Sequence, residues 1–237
     1  MSTNVATLPD GHKHAGHDEH AHPAYLAHHF DTPAQQFEAA KIGMWAFLVQ
    51  ELLFFAGIFV CYGVFRTWYP ETFSAAGHQL NRQLGAMNTI VLLVSSLTAA
   101  LAVRSAQVGD RKGTSRYLLV TIACAFIFLI VKYFEYAHKF EAGLLPGQYY
   151  APVASHLAPG LALPGNGHIF FSIYFVATGI HALHILVGIG VLYWTYRRNE
   201  RGDFSKEYYA GVDMVALYWH LVDLVWIYLF PLLYLID

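Results

Sequence analysis

The sequence predicts an all-α membrane protein, a bundle of five transmembrane helices with the N-terminus inside and the C-terminus outside. Five apolar runs, at 42–65, 84–103, 117–137, 168–193 and 212–235, are the first ground for this. Each is long enough to cross the ~30 Å hydrocarbon layer as a helix rising ~1.5 Å per residue. Composition is the second ground: 56% of residues are hydrophobic and only 13% charged, where a soluble domain carries about a quarter. The 16% of aromatic residues suits interfacial Trp and Tyr belts. The third ground sets the orientation. With five spans, the N-terminal tail and the 104–116 and 197–211 loops share one side. That side holds Lys13, Lys41, Arg104, Arg111, Lys112, Arg116, Arg197, Arg198, Arg201 and Lys206, while the other holds Arg66, Arg82 and Lys139. Cationic loops stay in the cytoplasm.

Composition also excludes function classes. A net charge of −2 offers no polycationic surface for nucleic acid. Cys61 and Cys124 each fall within an apolar run, and there is no CxxC or CxxCH pattern. Zinc, c-type haem and iron–sulfur sites are therefore not indicated. The first thirty residues lack the apolar core of a cleavable signal peptide.

The chain divides into a polar, His-rich cytoplasmic tail, 1–40, and a transmembrane domain, 41–237. His12, His14, His17, His20 and His22 are spaced by two and three, so neighbouring imidazoles can share a borderline metal. The surrounding composition is that of a solvated, unscaffolded chain, which fixes no ligand geometry. Residues 25–41 read as an amphipathic lead-in at the membrane surface, with Pro33 after Asp31 and Thr32 marking a helix N-terminus.

The first run carries one acid, Glu51, roughly 15 Å from Lys41 and near mid-membrane. An ionised carboxylate there is costly, so Glu51 is expected to be protonated, partnered or facing a wet cavity. The second run, LGAMNTIVLLVSSLTAALAV, is rich in the small residues that let helices approach closely in lipid. The third ends in Lys132, Glu135, His138 and Lys139 near the outer face, and the turn-rich 138–167 loop follows. The fourth run carries His181 and His184, and the fifth carries His220, Asp223 and Pro231. Counted from the inner boundary, His220 and Asp223 lie roughly 12 and 16 Å deep and His181 roughly 11 Å, so with Glu51 they form one polar layer. Lys132–Glu135 and His220–Asp223 are both i, i+3 pairs on one helix face, and His220 is expected to bond Asp223.

Three uses of this layer fit the residues. Imidazoles on facing helices are haem ligands, although His181 and His184, one turn apart on one helix, are poorly placed for two axial bonds. Glu and His at mid-depth are the material of proton relays, although no row of acids spans the membrane. Small-residue faces and the outer Lys132/Glu135 group suit lipid retention or docking on a larger partner.

The stretches MWAFLVQELLFFAGIF (44–59), MNTIVLLVSS (87–96), FEYAHKFEAG (134–143), FFSIYFVATGIHALHILVG (170–188) and ALYWHLVDLVWIYLF (216–230) resemble subunit III of the haem–copper respiratory oxidases. The Glu51-x-x-Phe-Phe-Ala-Gly run, Ala177-Thr178-Gly179-Ile180-His181-Ala182-Leu183-His184 and Tyr218-Trp219-His220-Leu221-Val222-Asp223 recur in that family's order. The resemblance implies an accessory subunit without catalytic residues or cofactors of its own, within a proton-pumping cytochrome c or quinol oxidase that reduces oxygen to water. Haem and copper would sit in partner subunits I and II. This chain would pack chiefly on subunit I, bind phospholipid in a cleft and support proton uptake.

Glu51 matches the family's membrane glutamate at that cleft. His181, His184, His220, Asp223 and Glu135 match motif positions, which the resemblance implies serve bundle packing and cleft lining: His181, His220 and Asp223 at the cleft in support of proton uptake, His184 in bundle packing. Lys132 with Glu135 is expected, from depth and charge, to form an outer group for lipid or packing. The chain looks like the shorter, five-helix form, with the His-rich tail where longer members have two further spans. The implied location is the bacterial cytoplasmic membrane. Two rival readings are a subunit III-like accessory of a nitric oxide reductase, and a stand-alone membrane transporter or haem protein.

Overall fold

The protein is seen in a computed structural model that describes residues 26–153, 156–157 and 165–235. The histidines from His12 to His22, offered above as weak metal ligands, lie outside the described residues. Among the described residues there are six α-helices and no strand: α1 (Pro33–Trp68), α2 (Pro70–Gly77), α3 (Arg82–Val108), α4 (Arg111–Glu141), α5 (Gly167–Arg201) and α6 (Ala210–Tyr234). Five of them, all but α2, are long and apolar enough to cross a membrane. Each apolar run lies within one of these five, the last overrunning α6 by one residue.

The helices are longer than the runs because favourable end chemistry continues them into polar sequence. Thr32 caps α1, its side chain accepting from the Gln35 N–H at 3.2 Å, with Pro33 in the first turn. The lead-in from Pro33 onwards is thus continuous with the first span, and the 36-residue helix is about 54 Å long. Asn81 caps α3 by accepting from the N–H groups of Gln83 and Leu84, and Asp110 caps α4 through Gly113 N–H.

The short α2 has no counterpart among the apolar runs. Pro70 cannot continue α1 but fits the first turn of a new helix. Eight residues suffice because Phe73 is wholly buried, edge-on to Tyr62 at 5.4 Å and to Phe170 at 5.3 Å. The helix closes one end of the bundle between α1 and α5.

Side-chain bonds fix the helix directions. Ser95 and Ser96 meet Trp219 and His220, whereas Thr89 meets Trp226, so α3 and α6 are antiparallel. Tyr62 donates to the Leu232 carbonyl near one end and Lys41 approaches Asp213 near the other, so α1 and α6 are parallel. α6 is the most buried span, α1 the least. Trp219 and Trp226 are fully buried, each indole N–H meeting a hydroxyl of α3: Ser95 at 2.7 Å and Thr89 at 3.1 Å. Such pairings replace the hydrophobic drive that lipid does not supply. Gly188 lets α5 close onto α6: a Cβ there would stand 2.6 Å from the Trp219 ring. α1 keeps Ile42, Trp45, Leu53, Val60 and Trp68 more than half exposed, as suits a flank facing lipid or another chain.

Candidate functional site: a polar seam between α1 and α5

Glu51 is partnered. His184 Nε2 lies 3.0 Å from Glu51 Oε2, and the two side chains are 16% and 15% exposed. The opposite ring nitrogen, Nδ1, lies 2.8 Å from the Ile180 carbonyl, which can only accept, so Nδ1 carries a hydrogen. Nε2 then either accepts from a protonated Glu51 or, as imidazolium, donates to a carboxylate. The rings of Phe55, at 5.1 Å, and Phe54, at 6.5 Å, wall in the imidazole, and Tyr218 donates to the His184 carbonyl at 2.9 Å. One turn along α1 an apolar groove of ≈ 480 Å³ opens between α1 and α5, lined by Phe54, Gly57 and Cys61 on one side and Ile169, Ser172 and Ile173 on the other.

The other members of the expected layer go elsewhere, and no hydrogen bond joins any two of Glu51, His181, His220 and Asp223. His181 is fully buried, stacked on Trp226 at 5.3 Å and edge-on to Phe128 at 5.5 Å, with neither ring nitrogen hydrogen-bonded among the described residues. His220 bonds the Ser96 hydroxyl of α3 at 2.8 Å instead of Asp223. The i, i+3 spacing puts His220 and Asp223 on one face, but α3 presents a closer partner there. Asp223 is 2% exposed, with neither carboxylate oxygen hydrogen-bonded among the described residues.

Lys132 and Glu135 are sealed inside the bundle, 4% and 3% exposed and 3.0 Å apart. Glu135 Oε1 accepts from the Tyr174 and Tyr234 hydroxyls at 3.0 and 2.5 Å. Lys132 donates to the same two oxygens at 3.3 and 2.9 Å and lies 5.1 Å above the Trp226 ring. This four-residue clamp joins α4, α5 and α6. Its tyrosines carry no signal of this role in the sequence, because a phenol within an apolar run reads as another aromatic. Tyr174 lies seven residues into α5 and Tyr234 ends α6, both level with Lys132 at that end of the bundle. A depth count extended from acids and bases to hydroxyls would have found them.

Among the described residues no group of three or more His, Cys, Asp or Glu side chains converges as a metal site. What the arrangement offers is a Glu–His hydrogen bond at the α1–α5 seam and a buried ion clamp at one end.

Comparison with known proteins places this architecture. The family model described as cytochrome c oxidase subunit III matches residues 17–144 and 165–237. Cytochrome c oxidase subunit 3 of Corynebacterium diphtheriae is 32% identical over 199 residues, which cover 83% of this chain and 88% of that protein. The Synechocystis subunit 3 is 29% identical over 221 residues, 93% of this chain and 79% of its own. The bovine subunit 3 is 30% identical over 218 residues, 89% and 73% respectively. The rows of motifs, the five spans and these matches agree: the chain belongs to the cytochrome c oxidase subunit III family, multi-pass membrane proteins of a multi-subunit respiratory oxidase.

Proposed function

We propose that the chain is the accessory, cofactor-free subunit of a proton-pumping haem–copper oxidase, stabilising subunit I, holding phospholipid and supporting proton uptake from the cytoplasmic side of a bacterial membrane. Haem and copper belong, on this reading, to subunits I and II. The observation that carries it is the Glu51–His184 contact, only partly covered by protein, beside an apolar groove between α1 and α5. It joins the least buried span to the rest, so it sets the position of the flank that lipid touches. His181, His220 and Asp223 support this function from behind the seam as polar groups of the same half of the bundle. Lys132 and Glu135 hold the far ends of three helices together.

The test is Glu51→Gln in the intact oxidase. A glutamine keeps the size and can still donate to Nε2, but it cannot share a proton. The haem spectrum and initial oxygen consumption should be unchanged, while the number of turnovers before inactivation, or the phospholipid retained in mild detergent, falls several-fold. A bleached spectrum would place Glu51 with the redox centres instead. Unaltered lipid content and unaltered endurance would leave the seam a packing contact.

A further inference from the structure

A second polar cavity lies away from the seam, where the end of α2, the start of α3 and the end of α4 meet. It encloses ≈ 500 Å³, with Gln79, Asn81, His138, Lys139 and His156 among its walls. Its electrostatic sign follows from two side chains. Lys139 is 3% exposed, and its ammonium donates to the backbone carbonyl of Gln79. It forms no ion pair among the described residues, and an ammonium has three N–H donors to place. Glu135 is the one carboxylate among the described lining residues, and its charge is already met: Oε2 takes Lys132, and Oε1 takes the two tyrosine hydroxyls. Lys139 thus has no carboxylate of its own among the described residues, and because burial disfavours an ammonium, an anion in the cavity would favour its charged form.

The α4 C-terminus offers a partial answer, since cations are favoured near the last turn. The Lys139 ammonium, however, bonds the segment between α2 and α3 and not the carbonyls of its own helix. A metal ion is disfavoured by the same ammonium. The imidazoles of His138 and His156 can each present an N–H to an anion at the cavity wall. Phe134, 64% exposed, and Leu84 extend the cavity onto the apolar flank of the bundle.

We propose that this cavity between α3 and α4 binds a phosphate group, with Lys139 as its counter-charge and His138 and His156 as donors. The phosphate is that of an anionic phospholipid, whose chains would follow Phe134 and Leu84, or a free phosphate ion. The site is separate from the α1–α5 seam and does not depend on the role given to Glu51.

Diethyl pyrocarbonate footprinting tests it in the intact oxidase complex, after endogenous lipid has been exchanged for detergent. Modification rates of His138 and His156 are read by peptide mass spectrometry with dioctanoyl phosphatidylglycerol, dioctanoyl phosphatidylcholine, inorganic phosphate or chloride at matched ionic strength. Phosphatidylglycerol should slow both sites several-fold more than phosphatidylcholine does. Lys139→Met should abolish that difference and Lys139→Arg should keep it. Protection by phosphatidylglycerol but not by inorganic phosphate assigns the site to lipid; equal protection by inorganic phosphate assigns it to the free ion. Should Lys139→Met fail to assemble, His138→Gln carries the same reading through His156, whose protection should weaken. Rates that ignore the anion, or that respond identically in the Lys139→Met or His138→Gln complex, would overturn the proposal.

Discussion

At the scale of single residues, burial separates the two ion pairs of the bundle interior. Glu51 and His184 meet at 3.0 Å with 15–16% of each side chain exposed, so the contact is only partly covered by protein. Lys132 and Glu135 are sealed, and each depends on the other and on two phenols. Removing one partner of a buried pair leaves the other uncompensated, which costs about 3–5 kcal/mol. Lys132→Met should therefore lower the thermal stability of the subunit sharply, or release it from the complex. The double variant Lys132→Met/Glu135→Gln should recover much of the loss, because a neutral amide can still accept from Tyr174 and Tyr234. Melting temperatures of the purified complexes decide the matter. A double variant as unstable as the single one would mean that Lys132 matters for its stem and not for its charge. The same scale shows what depth counting misses. It gives Glu51 a position along its run but no azimuth. His181 and His184 differ by roughly 60° around the helix axis, and that rotation alone turns His184 towards α1 and His181 towards Phe128 and Trp226.

At the scale of elements, the spans were legible because lipid writes them as length and apolarity, which a linear sequence displays directly. Their ends were less so. Thr32, Asn81 and Asp110 start helices outside the apolar runs, and the N-cap bonds that do this occupy one turn of otherwise polar sequence. α2 stayed hidden because PETFSAAG has neither span length nor strong periodicity; its fold comes from Phe73 finding Tyr62 and Phe170, contacts made by chain far away in sequence. Which faces of the helices meet is set by small residues, and two glycines of α5 separate packing from propensity. A Cβ at Gly188 meets the Trp219 ring, whereas at Gly190 it meets nothing within 4 Å. Replacing helical Gly by Ala gains about 1 kcal/mol of propensity where space allows, but overpacking costs about 1–3 kcal/mol. Gly190→Ala should leave the melting temperature equal or higher, and Gly188→Ala should lower it. The opposite order would show that α5 and α6 can part slightly at no cost, contrary to the tight contact at Trp219.

At the scale of the whole molecule, five alternating long helices put the start of α1 and the end of α6 on opposite faces of the bundle. The bond pattern bears on the cationic loops as well. Lys41 sits by Asp213, and Ser115 meets Glu200 and Asn199, so the start of α1, the α3–α4 turn and the α5–α6 turn share one face. Sequence arithmetic reached the same grouping from parity alone, but no contact within the chain says which face is cytoplasmic; that depends on the charge of its loops against the membrane. Single-cysteine labelling supplies the missing direction. With Cys61 and Cys124 replaced by Ala, Lys112→Cys and Lys206→Cys lie on the cationic face, and Glu71→Cys, an exposed position at the start of α2, lies on the other. A membrane-impermeant maleimide added to whole cells should label Glu71→Cys and spare the other two, and inverted vesicles should give the converse. Labelling of Lys112→Cys from outside would reverse the bundle. Glu51 would then be counted from the wrong boundary, and support of proton uptake from the cytoplasm would fail, whereas the Lys139 cavity, argued from local charge, would simply open onto the other leaflet.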